Sequence, residues 1–161
     1  EAPAIAGLPE WYITEQLEKF SNGGRGKHFD DVAGMRMRPM AKALERTEGD
    51  MEIVAAYVAS LPVQAQTISV HGDAEKGKQK YLLCSSCHGA DGKGNKVMNA
   101  PPLVGSSDWY LISQLDKFRS GVRGGNPSVD VNGSTMAMQA QMILKEDQDI
   151  LDVVAYIGTL K

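Results

Sequence analysis

Cys84-Ser85-Ser86-Cys87-His88 is the stretch on which the reading of this 161-residue chain turns. Two cysteines three positions apart, with a histidine directly after the second, form the attachment pattern of a c-type haem. The spacing has a chemical reason. Thiols one helical turn apart can each add to one vinyl group of the porphyrin, and the adjacent imidazole is then turned towards the iron. Other cysteine chemistries fit less well. A structural zinc site wants four Cys/His ligands, whereas the chain has no further cysteine and, besides His88, only His28 and His71. A thioredoxin-like dithiol expects a preceding strand in a βαβ context, and the residues before Cys84 read as helix. With both thiols taken up by haem, the cysteines carry no disulfide signal.

Working outward from the motif, period and punctuation give helices. Asp73 can cap a helix running to about Leu83, with Ala74, Gly77 and Tyr81 on one face. The glycine-rich run from Gly89 to Gly94 reads as a loop. Ser107 or Asp108 starts a helix whose Leu111, Ile112, Leu115 and Phe118 form an apolar stripe, stopped by Gly121. Gly124 to Gly133 reads as a second loop. A last helix starts near Glu146 and Asp147, with Ile150, Val153, Val154 and Ile157 inward. Asp147 and Asp149 suit the positive end of its dipole. No segment reads as strand, so the fold class is all-α.

The sequence also repeats itself at an offset of 98 to 99 residues. Trp11-Tyr12-Ile13-Thr14-Glu15-Gln16-Leu17-Glu18-Lys19-Phe20 is echoed by Trp109-Tyr110-Leu111-Ile112-Ser113-Gln114-Leu115-Asp116-Lys117-Phe118. Gly23-Gly24-Arg25-Gly26 is echoed by Gly121-Val122-Arg123-Gly124, and Val54-Ala55-Ala56-Tyr57-Val58 by Val153-Val154-Ala155-Tyr156-Ile157. Identity this dense is duplication. The first copy has the middle and last helices, at about 10–21 and 49–60, but nothing matching residues 71–98. The expected organisation is a partial repeat over 1–61 without the attachment motif, a linker over 62–72 and a complete haem domain over 73–161. Two explanations of the missing front compete. Either the sequence begins inside a longer two-haem protein, which is the favoured one, or the first repeat has lost its haem and serves as a structural or docking domain.

Composition bounds the partners. With 42% hydrophobic and 23% charged residues the chain is that of a globular protein. A net charge of −3 argues against nucleic acid as a partner. No apolar run approaches the ~20 residues of a membrane span. The sequence opens on Glu1-Ala2-Pro3 without a basic-then-apolar leader. Covalent haem attachment takes place outside the bacterial cytoplasmic membrane. Export is therefore expected, with a removed leader or a longer parent chain, to the periplasm or the periplasmic side of the membrane.

Together these residues resemble class I cytochromes c, most closely the tandem two-domain cytochromes of the c4 type. The matching positions are Cys84-x-x-Cys87-His88-Gly89, Pro101-x-Leu103-x-Gly105, the helix Tyr110-Leu111-x-x-Gln114-Leu115-x-x-Phe118-x-x-Gly121-x-Arg123, and Met138 ahead of the closing helix. The resemblance implies one haem c held by Cys84 and Cys87, with His88 as proximal ligand. It implies Met138 as the sixth ligand, with Met136 as the runner-up, while Met142 is assigned to packing. In the first repeat Met37, or alternatively Met40, is the counterpart for a second haem if an upstream segment supplies another attachment motif. Pro101 matches the proline whose neighbourhood offers a carbonyl to the proximal imidazole, and Pro3 is its echo. Trp109, Tyr110 and Arg123 are candidates to hydrogen-bond haem propionates. Gly77 and Tyr156 resemble a close helix crossing. His28 reads as an exposed loop residue and His71 as linker.

The resemblance implies an electron carrier rather than an enzyme, because histidine and methionine fill both axial positions. A quinol-oxidising complex as donor and a terminal oxidase or reductase as acceptor fit that role. Lys93, Lys96, Lys117 and Arg119 are a candidate docking patch, with a solvated face favoured. Alternatives are a cytochrome subunit of a larger redox enzyme complex, and a haem enzyme or gas sensor with a labile sixth ligand. The apolar faces left open on residues 1–61 need cover from the second domain, an upstream fragment or a partner chain.

Overall fold

The computed structural model describes residues 2–64 and 66–161. Glu1, at the head of the first repeat, and Ala65, in the linker stretch, lie outside the described residues. Among the described residues seven α-helices follow in order: α1 (Glu10–Asn22), α2 (Val32–Ala43), α3 (Asp50–Ser60), α4 (Ala74–His88), α5 (Asp108–Arg119), α6 (Val131–Ile143) and α7 (Asp147–Ile157). Short 3₁₀ turns lie at Leu44–Arg46 and Lys96–Met98. Among the described residues the only sheet-like pairing is an isolated bridge between Asn95 and Ala100. The fold is all-α. No helix among them is long and apolar enough to cross a membrane.

The chain divides into two compact units, one of Glu1–Ile5, Val63–Asp116 and Ala140–Lys161, the other of Ala6–Pro62 and Lys117–Gln139. In the first, α4 crosses α7. Asp73 caps α4, its Oδ1 accepting from the amides of Glu75 and Lys76 at 3.1 Å each. At the crossing, a Cβ on Gly77 would stand 1.9 Å from the carbonyl oxygen of Asp152 and 3.0 Å from Cβ of Tyr156. Only glycine allows the two backbones to approach this closely. Tyr156 then packs on Tyr81, ring centroids 5.2 Å apart. Ile150, Val153, Val154 and Ile157 are buried, as the period of the last helix requires. A reciprocal capping box of Glu146 and Asp149 starts α7.

The second unit is built on the first repeat. Ile13, Leu17 and Phe20 of α1, Ala41 of α2, and Ala55 and Val58 of α3 form its apolar cluster. Two elements were not expected from the sequence. α2 occupies a stretch with no assigned structure, and the loop expected over Gly124 to Gly133 ends at Asp130, where α6 begins. The cause is the same in both repeats. Asp31 Oδ1 accepts from the amide of Gly34 at 3.1 Å, and Asp130 Oδ1 from that of Gly133 at 2.8 Å. A Cβ on either glycine would lie 2.1 Å from the capping carboxylate. A glycine that suggests a loop is here demanded by the helix cap.

α4 also exceeds its expected end near Leu83, running five residues further so that its last turn carries Cys84, Cys87 and His88. It ends at Gly89, whose φ of 82° is left-handed.

Candidate haem site

Helical geometry over 84–88 places the two thiols one turn apart. Both are half-buried and free of any disulfide. Burial pushes the Cys84 thiol up to about 11, so it is protonated at neutral pH. His88 is 7% exposed, and burial lowers the pKa of its imidazole. Its Nδ1 lies 2.8 Å from the carbonyl oxygen of Pro101. A carbonyl can only accept, so Nδ1 carries the proton and Nε2 keeps its lone pair. A neutral imidazole with a fixed tautomer and a free Nε2 is prepared to ligate a metal.

The loop after α4 exists to present that carbonyl. Gly94 donates its amide to the His88 carbonyl at 2.8 Å. Asn95 and Ala100 exchange amide–carbonyl bonds of 2.8 and 3.0 Å, closing the loop just before Pro101. Gly94 has φ 81°, and a Cβ there would stand 2.6 Å from the Pro101 carbonyl carbon. Tyr81 braces the start of the loop, its hydroxyl donating to the Gly89 carbonyl at 2.8 Å. Burial pushes that phenol up to about 12, which keeps the donor protonated.

The remaining residues expected at the site fall as follows. Met138 lies on α6 with its side chain 60% exposed, while Met136 is half-buried and Met142 is 54% exposed. Trp109 and Tyr110 open α5, their rings edge to face at 5.9 Å. Arg123 is buried, its guanidinium 4.4 Å over the Phe118 ring and donating to Gln16 Oε1 at 2.9 Å. The first repeat copies this geometry: Trp11 and Tyr12 meet at 5.8 Å, Arg25 lies 4.3 Å over Phe20, and Arg25 also donates to Gln16 Oε1 at 2.9 Å. Met37 and Met40 lie on α2, both exposed. His28 is exposed, its Nδ1 accepting from the amide of Asp30, and His71 is exposed as well. Lys117 is no part of an open docking patch, because its ammonium is held by Asp31 at 2.6 Å.

Sequence reasoning missed Gln16, Lys19, Asp31 and Asp130. All four are buried polar residues of the second unit. The signal was present in the repeat itself, which preserves Gln16 as Gln114, Lys19 as Lys117 and Asp31 as Asp130.

The donors fit a covalently attached haem: two unpaired thiols at attachment spacing and a buried, neutral, oriented imidazole. Among the described residues no three His, Cys, Asp or Glu side chains converge on another metal position.

Comparison with known proteins agrees. The family model for cytochrome c matches residues 74–161. Cytochrome c4 of Stutzerimonas stutzeri is 36% identical over 90 residues, which are 56% of this chain and 42% of that protein. A thiosulfate dehydrogenase electron acceptor of Thiomonas intermedia is 31% identical over 139 residues, 78% of this chain and 58% of that one. The chain thus spans about half the length of these curated relatives. The solved cytochrome c4 of Acidithiobacillus ferrooxidans superposes with a TM-score of 0.78 at 28% identity, covering 99% of this chain and 88% of that structure. Attachment motif, imidazole geometry, matched span and backbone all converge: the chain belongs to the cytochrome c family and carries haem c on Cys84 and Cys87.

Proposed function

We propose that the protein transfers single electrons between redox partners through a haem held by Cys84 and Cys87 and ligated by His88 and Met138. The observation that carries this reading is the locked His88 imidazole. Its Nδ1 proton is committed to Pro101, so Nε2 is permanently available and its basicity is set by a backbone carbonyl that no solvent change removes. When bound, haem iron supplies the one-electron couple. The chain contributes everything else. Cys84 and Cys87 would hold the ring, Pro101 orients the His88 imidazole, and Met138 on α6 would supply the second iron ligand. Trp109, Tyr110 and Arg123 stand as candidates to hold propionates.

The domain reading is proposed in the same terms: a partial repeat over 1–61, a linker over 62–72 and a complete haem domain over 73–161. Its support is a contrast between equivalent residues. Tyr156 of α7 packs against α4, whereas its counterpart Tyr57 on α3 is 66% exposed, and neighbouring Ile53 is 67% exposed. A helix equivalent to α4, from an upstream segment or a partner chain, would cover that face, and Met37 would then be available to a second haem. A periplasmic location follows from covalent attachment. The donor and acceptor are proposed to be respiratory redox proteins, such as a quinol-oxidising complex and a terminal oxidase or reductase. The relative whose printed role is electron acceptor of thiosulfate dehydrogenase supports a second reading, a cytochrome component paired with a larger redox enzyme.

Spectroelectrochemical titration, combined with haem per polypeptide, tests the proposal. Reversible one-electron behaviour and no carbon monoxide adduct of the reduced protein are expected. Ready binding of carbon monoxide would replace the carrier reading with a ligand-binding one.

A further inference from the structure

Two ion pairs in the second unit are related by the internal repeat. Lys19 Nζ lies 2.8 Å from Asp130 Oδ1, and Lys117 Nζ lies 2.6 Å from Asp31 Oδ1. Lys117 is the repeat equivalent of Lys19, and Asp130 of Asp31. Each lysine therefore reaches the aspartate of the other repeat, the i-to-j and j-to-i pattern of a self-complementary two-fold contact. These are not surface pairs. The Asp130 and Asp31 side chains are 1% and 5% exposed, those of Lys19 and Lys117 11% and 18%. Each aspartate is also the residue that caps a methionine-bearing helix: Asp31 holds the first turn of α2, with Met35, Met37 and Met40, and Asp130 that of α6, with Met136, Met138 and Met142. The Asp130 pair is reinforced from α1, since Lys19 also binds Glu15 at 2.7 Å and Glu15 accepts from Asn132 of α6 at 3.0 Å. The backbone is close as well. A Cβ on Gly24 would stand 3.3 Å from the carbonyl oxygen of Val129.

We propose that each repeat's lysine is a positioning residue for the other repeat's methionine helix: Lys19 fixes the start of α6, and Lys117 the start of α2. The charge that completes each helix cap comes from across the repeat, so the anchoring of one methionine segment depends on the folded state of its neighbour. The link to iron rests on Met138 as sixth ligand; the anchoring of the helix does not.

Both parts are tested on the full haem-bearing chain with Lys19→Met, Lys19→Arg and Lys117→Met. Amide hydrogen exchange at Gly133 and Ser134 reports the α6 cap, and at Gly34 and Met35 the α2 cap. Lys19→Met is expected to speed exchange at Gly133 and Ser134 by about tenfold or more, because a buried carboxylate loses its counter-charge, with Gly34 and Met35 unchanged. Lys117→Met gives the mirror pattern, and Lys19→Arg stays close to the unmodified protein. Equal effects at both caps, or none, overturn the proposal. Should Lys19→Met not fold, Asp130→Asn keeps the cap acceptor, removes the charge and is expected to give the same local pattern. The second readout is the charge-transfer band of a methionine–iron bond in the oxidised protein, followed on heating. It is expected to disappear at lower temperature in Lys19→Met than in Lys117→Met. If exchange responds and the band does not, the link to iron is overturned. If the unmodified protein has no such band, the Met138 reading fails while the exchange result still decides the anchoring.

Discussion

Met138 exposes 60% of its surface on α6, and Met142, expected to pack in the core, exposes 54%, so neither thioether fills the core. An exposed thioether is open to a ligand role, and the proposed function gives that role to Met138. Met138→Ala is therefore expected to admit carbon monoxide to the reduced haem and to lower the midpoint potential by on the order of 100 mV or more, within the range that axial ligands control. Met136→Ala should do neither, and optical titration separates the two. On the proximal side the decisive atom is a backbone oxygen, which no substitution of Pro101 removes. Gly94 is the way to it. Gly94→Ala places a Cβ 2.6 Å from the Pro101 carbonyl carbon at a φ of 81°. It should cost about 1–3 kcal/mol in a denaturant titration and shift the potential as the His88 acceptor moves.

At the scale of elements, the α4–α7 crossing is the firmest joint in the first unit. Gly77→Ala would bring a Cβ to 1.9 Å from the Asp152 carbonyl oxygen. Backbone cannot yield as a long side chain does, so a loss of about 3 kcal/mol, at the top of the overpacking range, is expected by chemical denaturation. The family resemblance implied this joint, whereas α1, α3, α5 and α7 were legible from their own apolar periods. α2 and α6 were not. Gly34 and Gly133 sit in their first turns and Pro39 within α2, so local propensity argues for loops. What makes these segments helical is an aspartate cap that needs glycine beside it and a counter-charge roughly 100 residues away along the chain, which pattern reading within one window does not see. The haem-attachment residues were fully legible, since their spacing is dictated by covalent chemistry. The cross-repeat partners of Lys19 and Lys117 depended on tertiary placement and were not.

Over the whole molecule, Lys117–Gln139 groups with Ala6–Pro62 in one compact unit, where charges of both repeats meet. Asp31 shows the consequence for stability against pH. Burial alone would raise its pKa, but the Lys117 ammonium, the Gly34 amide and the nearby Arg25 charge overcome that and hold the carboxyl below its ordinary value of 3.8. A carboxylate with a depressed folded pKa contributes stability that is fully present above its unfolded pKa and is lost as pH falls through the folded one. The protein should therefore keep this contribution down to the ordinary carboxylate range and lose it only below. Lys117→Met removes the largest of the stabilising partners and leaves burial unopposed by it, so the Asp31 pKa rises and its protonation begins at higher pH. The acid-unfolding midpoint, followed by far-ultraviolet circular dichroism, should move to higher pH in Lys117→Met. Lys93→Met serves as control, because Lys93 is exposed and its contact with Asp91, at 3.8 Å, is that of a solvated pair. An unchanged midpoint in Lys117→Met would mean that the first repeat does not depend on the 117–139 segment for its charge balance.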